Sequence, residues 1–297
     1  MKPFIYQSLV ANASSLGVHW IYNHHYLKVL AEKQSLLFLS QDKKLYDDAK
    51  PSYFVYPKNK IGDLSVQGNI LTWLYQALKD NPELSQKEYE ELLFSKFKPG
   101  GDYQGYVESY AKKLVIRKLS KDLHLDMKSQ QPDDDHLVGF MPYLAAKSLN
   151  ISRNKAIELT KLFSNKSEYI DYMNMFDHLL IKLENTKLKD AILEVIEYAP
   201  ISEKIKLNHI SDTSNIDQFI ENFAGRACSI DQSVPLIFYI LYHAKDFSNA
   251  LNINAQVGGA SSDRALLLAC FLSQVYDLPL SWKEKVKPIL NESNYQH

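Results

Sequence analysis

The stretch from Asn252 to Tyr276 constrains the fold most. A polar run with a double glycine, Gly258-Gly259, passes into Arg264-Ala-Leu-Leu-Leu-Ala-Cys-Phe-Leu272, a segment too apolar to face water. Such a segment must lie inside a protein core, with the glycines allowing positive φ or close backbone approach just before it. It reads as a polar loop followed by a buried helix. The helix start offers outward N–H groups to an ion or a phosphate.

The rest of the chain supplies helices to surround it. Ile5, Leu9, Ala13 and Leu16 share one helical face, with Gly17 placed to end that helix. Ile70, Leu71, Trp73, Leu74, Ala77 and Leu78 form a second apolar face. Ser85-Gln-Lys-Glu88 is a capping-box pattern ahead of a third helix. Further helices are expected over about 103–119, 137–146, 152–164, 168–183, 187–198, 216–223 and 233–242, with Pro235 in the first turn of the last. In the 187–198 helix, Leu188, Ala191, Ile192, Val195 and Ile196 make the clearest stripe, and Pro200 ends that run. No series of alternating strands appears and glycine is only 10 of 297 residues, so the expected class is all-α: a single globule over residues 1–297 with about a dozen helices. Residues 46–68 lack a helical period and read as a long surface excursion, and Ser120 to Pro132 as a polar, flexible segment.

Charge and cysteine usage narrow the function. Thirty-four basic residues against 35 acidic ones provide no global field for nucleic acid or an anionic membrane. Cys228 and Cys270 lack metal-like spacing and read as free thiols in a reducing compartment. No apolar run approaches the roughly 20 residues needed to span a bilayer, and Met1-Lys2-Pro3-Phe4 opens no signal-peptide pattern. The expectation is a soluble cytoplasmic protein without a nucleic-acid or membrane partner.

Three places suggest chemistry. Gly17-Val-His19-Trp20-Ile-Tyr22 puts a histidine and two large aromatics after a helix end, where they line a pocket or plug the core. Asp133-Asp134-Asp135-His136 places three adjacent carboxylates before an apolar helix, suited to a cation or to helix capping. Gly258-Gly259-Ala260-Ser261-Ser262-Asp263-Arg264 is the polar helix start already described.

Taken together, Leu9 to Tyr22, Gly62-Asp-Leu-Ser-Val-Gln-Gly-Asn69 and Gly258 to Arg264 resemble, in order and spacing, signature segments of the ADP-ribosylglycohydrolase family, and particularly its J1-crystallin-like branch. Cys228-Ser-Ile-Asp-Gln-Ser-Val-Pro-Leu236 and Leu278-Pro-Leu-Ser-Trp282 extend the likeness over nearly the whole chain. The resemblance implies an all-α globule whose pocket holds two magnesium ions and cleaves the glycosidic bond of ADP-ribose conjugates. Hard Mg²⁺ takes carboxylate and water oxygens and positions an attacking water. Asn12, Asn69, Ala260 and Ser262 stand where that pattern expects acids or their neighbours, so the metal positions are degenerate and no cofactor is expected, Mg²⁺ being the exception if the site is intact after all. Asp263 falls one residue late, about 100° around a helix.

Three readings follow. One is a protein that binds ADP-ribose, a related nucleotide or an ADP-ribosylated protein with little turnover, through His19, Trp20, His136, Gly258, Gly259 and Arg264. A second is an active hydrolase using Asp133, Asp134, Asp135 and Asp263. A third is a structural, crystallin-like protein.

Overall fold

The computed structural model describes residues 1–124, 131–286 and 290–295. It is all-helical: sixteen α-helices and no strand among the described residues. Helix α1 (Ile5–Ser15) runs on as a 3₁₀ turn, Leu16–Val18, and is followed by α2 (His24–Ala31), α3 (Lys43–Asp48), α4 (Val66–Asp80), α5 (Gln86–Phe97) and α6 (Ser109–Asp122). A second 3₁₀ turn, Leu137–Phe140, leads into α7 (Met141–Ser148), then α8 (Arg153–Thr160), α9 (Glu168–Lys182) and α10 (Leu188–Val195). The chain continues through α11 (Ile201–Asn208), α12 (Ile216–Phe223), α13 (Ile230–His243), α14 (Phe247–Val257), α15 (Ser261–Val275) and α16 (Leu280–Val286).

The apolar segment that constrained the fold is α15, buried from Ser261 through Ser273. Helix α1 packs along it, and α4, α9, α13 and α14 also touch it. Every residue from Ala265 to Leu272 is fully removed from water, which is why this helix needs no polar face. The stripe Leu188, Ala191, Ile192, Val195 and Ile196 is buried as its spacing predicts, and Ser85 with Glu88 forms the expected capping box.

Several boundaries move for identifiable reasons. Asn252 to Val257, expected as loop, is the second half of α14, and only Gly258-Gly259-Ala260 separates α14 from α15. Gly17 does not terminate α1; a Cβ there would lie 2.3 Å from the Leu39 carbonyl oxygen, so the residue is small to admit that backbone. The helix expected from residue 103 begins at Ser109, because Tyr103 to Val107 run as irregular chain. Pro200 both closes one helical run and caps the next, α11, which the apolar pattern does not reveal.

Pro235 sits inside α13 rather than in its first turn, since the helix starts three residues earlier than expected. Without an N–H, Pro235 cannot serve the carbonyl of Asp231. Lys206 of α11 donates to that carbonyl instead, at 3.0 Å.

The excursion at 46–68 is no loose surface loop. Tyr46, Ala49, Tyr56 and Leu64 are buried, and the Tyr46 hydroxyl donates to the His19 carbonyl at 2.8 Å. The segment expected to be flexible, Ser120 to Pro132, lies partly outside the described residues: α6 covers its beginning, and residues 125–130 are not described. No helix among the described residues is long and apolar enough to cross a membrane.

Candidate functional site

Three chain segments far apart in sequence meet at the start of α15. The double glycine makes the meeting possible. Gly258 and Gly259 have φ of 75° and 64°, and a Cβ on them would lie 2.2 Å from the Ile21 carbonyl oxygen and 2.0 Å from that of Arg226. The backbone is thus pinned between two other strands of chain: Gly259 N–H donates to Ile21 O and Ala260 N–H to Arg226 O.

The side chains there form a closed hydrogen-bond lattice. Asn12 Nδ2 of α1 donates to Ser65 Oγ and to the Ser262 carbonyl, both at 2.9 Å. Its Oδ1 accepts from Ser65 N–H at 2.9 Å. Ser65, the N-cap of α4, donates through Oγ to Asp263 Oδ1 at 2.9 Å, while Gln67 Nε2 donates to Asp263 Oδ2 at 3.1 Å. Ser262 Oγ donates to the Asn12 carbonyl at 2.7 Å, and Ser262 N–H donates to His19 Nδ1 at 3.1 Å. Because His19 Nδ1 accepts, its ring proton belongs on Nε2, which lies 3.6 Å from Asp263 Oδ2. Asn12, His19, Ser65, Gln67, Ser262 and Asp263 are all fully buried.

Burial decides the protonation states. Desolvation lowers the His19 pKa to about 3, with the Arg264 charge adding to the effect, so the ring is neutral. Desolvation raises Asp263 to about 7 against the downward pull of Ser65. Glu108, buried at the N-cap of α6, is pushed well above the usual carboxylate range by desolvation and then by the charge of Asp263. Its Oε1 has no hydrogen-bond partner. Two buried carboxyl groups therefore compete for ionisation, the arrangement that keeps one protonated near neutral pH.

Aromatic rings cover this acid pair. Tyr56, Tyr103 and Tyr110 have pKa values raised by desolvation and by the Glu108 and Asp263 charges. Half-exposed Trp20 stacks on His19 with ring centroids 5.1 Å apart and meets Tyr53 and Tyr106 edge-on at 6.4 and 5.5 Å. Trp20 has φ of 65°, a left-handed conformation costly for a bulky residue. The backbone enforces it: Trp20 N–H donates to Gly259 O at 2.7 Å, and its carbonyl accepts from Tyr53 N–H at 3.0 Å.

The aspartate triplet does not act as one group. Asp133 is exposed and pairs with Lys113 at 2.8 Å; Asp135 turns to Lys166 at 3.2 Å. Only Asp134 is buried, with Oδ1 accepting from His136 N–H at 2.9 Å and lying 3.2 Å from His136 Nδ1. Desolvation alone would lower the His136 pKa, but Asp134 and the Cys228 sulfur carry it to about 11.

The other expected ligand-binding residues are placed as follows. Gly258, Gly259 and Arg264 are buried, and the Arg264 guanidinium is spent on the fold: Nε donates to Asn254 Oδ1 at 3.0 Å, one terminal nitrogen to the Arg226 carbonyl at 3.1 Å and the other to the Gly258 carbonyl. These bonds use three of the five guanidinium N–H donors within the fold. Trp20 and His136 remain partly open to solvent.

The residues at the expected metal positions do not fit a magnesium pair. Ala260 has no side-chain donor atom, Asn12 is bonded to Ser262 and to Ser65, and Asn69 turns away to donate to the Leu64 and Ser65 carbonyls. Among the described residues no group of three or more His, Cys, Asp or Glu side chains is arranged to hold a metal ion.

Asp263 is the reverse case: being one residue late turns it into the lattice, where it meets Ser65 and Gln67. Local patterning does not single out Glu108, which falls inside the stretch that reads as helix from residue 103. Its one signal is Gly100-Gly101 and Gly105 just upstream, which favour irregular chain up to the cap.

Compared with known proteins, the chain matches no family model and no curated protein significantly.

Proposed function

We propose that this protein is an ADP-ribosylglycohydrolase-like chain that binds ADP-ribose or a related nucleotide ligand, free or attached to a protein, with little or no metal-dependent turnover. The observation that carries this reading is Trp20, held in a left-handed conformation with Tyr53 and Tyr106 around it and stacked on His19, whose Nε2 lies 3.6 Å from Asp263 Oδ2. An aromatic wall stacks a base or covers a sugar face. The degenerate donor set at Asn12, Asn69, Ala260 and Ser262 supports binding over metal-assisted hydrolysis.

Calorimetric titration with ADP-ribose, in EDTA and in Mg²⁺, tests the reading. Equal saturable binding in both conditions, weakened by Trp20→Ala, is expected. Binding only with Mg²⁺ would return the protein to the active hydrolases, and none in either condition would favour the structural, crystallin-like alternative.

A further inference from the structure

A cavity of about 440 Å³ adjoins the chain pairing between His136 and Ser229, with Ser229 and Asp135 in its lining. At roughly 30 Å³ per water it holds the equivalent of more than a dozen water molecules. Three helix starts border it: Glu168 at the start of α9, Glu203 in the first turn of α11 and Asp231 in that of α13, with Asp135 completing the acidic wall.

First-turn acids are ordinarily explained by the helix dipole, which favours negative charge there. That accounts for their presence but not for the groups buried beside them. Tyr172 is fully buried, lines the cavity and has a hydroxyl with no well-directed hydrogen bond, although the Glu203 carboxylate lies beside it. Ser229, the N-cap of α13, makes no capping bond, and its buried Oγ is also unpartnered. Buried polar atoms are normally satisfied.

The charges are unbalanced in the same place. Lys166 answers Asp135 at 3.2 Å and Lys206 answers Glu203 at 3.0 Å. The carboxylates of Glu168 and Asp231 make no ion pair among the described residues, Lys206 reaching the Asp231 backbone carbonyl. An entering anion would meet four carboxylates against the two lysines already paired with Asp135 and Glu203, whereas an ammonium finds two carboxylates without an ion pair plus hydroxyl oxygens to accept its protons.

We propose that this cavity binds a small organic cation carrying primary ammonium groups, of the alkyl diamine or polyamine class. The buried end of the ligand donates to Glu203, Tyr172 and Ser229, and Asp231 and Glu168 hold its outer charge. This site is separate from the one bearing Trp20, so either assignment can fail without the other.

Calorimetric titration of the full chain with spermidine, and separately with putrescine and inorganic phosphate, tests it. One saturable spermidine site is expected, weakened at least about tenfold by Glu203→Gln and severalfold by Asp231→Asn. Asp231 is exposed, so its variant reads the rim without threatening the fold. Circular dichroism melts establish that both variants remain folded, and Tyr172→Phe provides a third, isosteric change that should also weaken binding. The proposal is overturned if neither amine saturates, if folded Glu203→Gln and Asp231→Asn bind spermidine like the natural chain, or if phosphate alone occupies the cavity.

Discussion

Replacing Asp263 by asparagine separates the energetics of the buried acid from everything else that titrates. In the folded chain the carboxyl is neutral up to about pH 7, because burial opposes its charge; in the unfolded chain it ionises near its ordinary 3.8. Between those values the folded state holds the extra proton. Its contribution to stability is therefore fully present below about pH 4 and is lost as pH rises through about 7. Roughly three pKa units at about 1.4 kcal/mol each amount to about 4 kcal/mol. Asparagine has no charge to bury, so it avoids this loss. It does incur a fixed cost, because one of its two polar atoms is a donor and Ser65 Oγ already accepts from Asn12 Nδ2 and Gly68 N–H; about 1–2 kcal/mol is expected for the mismatch.

The measurable quantity is the difference in unfolding free energy between Asp263→Asn and the natural chain, from urea denaturation at pH 5 and pH 8.5. Of that total about 1.6 kcal/mol is already lost at pH 5, which offsets the mismatch and leaves the two proteins nearly equal there; the variant should then gain on the natural chain by about 3 kcal/mol between pH 5 and pH 8.5. Removing the Asp263 charge also relieves Glu108, which acts in the same direction. His19 titrates with the opposite sign: lowered to about 3, it costs stability as pH falls from about 6.5 to 3, but it is present in both proteins and largely drops out of the difference. A difference that stays constant with pH, or grows against the variant at high pH, would refute the assignment of a desolvated, protonated Asp263.

Two further substitutions probe the frame around this acid. Gly259→Ala places a methyl 2.0 Å from the Arg226 carbonyl oxygen at φ of 64°; a loss of at least about 3 kcal/mol in urea denaturation is expected, against about 1 if strain alone were at stake. Arg264→Lys keeps a cation but cannot reach the Asn254, Arg226 and Gly258 acceptors together. It should cost about 2–4 kcal/mol by the same assay, and a near-neutral result would show that the fork geometry is unimportant.

How much of this was legible in the sequence depends on the range of the interaction. The helical class, the buried face of α4, the stripe of α10 and the capping box of α5 follow from local periodicity and local hydrogen bonding, which a sequence displays directly. The helices α2, α3, α11, α14 and α16 show no such local signature, since their packing partners lie elsewhere in the chain. Helix α11 is docked by Lys206 reaching the carbonyl freed by Pro235, a bond that no local pattern announces.

The site divides the same way. Residue identity alone shows a double glycine leading into a helix too apolar to face water, and shows that Asn12, Ala260 and Ser262 bring no charge to the positions where the resemblance places metal ligands. What stands in their place depends on how the chain packs. Tertiary packing turned Asp263 inward onto Ser65 and Gln67, spent Arg264 on three carbonyl-type acceptors, sent Asp133, Asp134 and Asp135 to three different environments and brought Glu108 from another loop to the acid pair. Those outcomes rest on burial and on partners up to 250 residues apart in sequence, and desolvation is a property of a place in the fold, never of a residue in a chain.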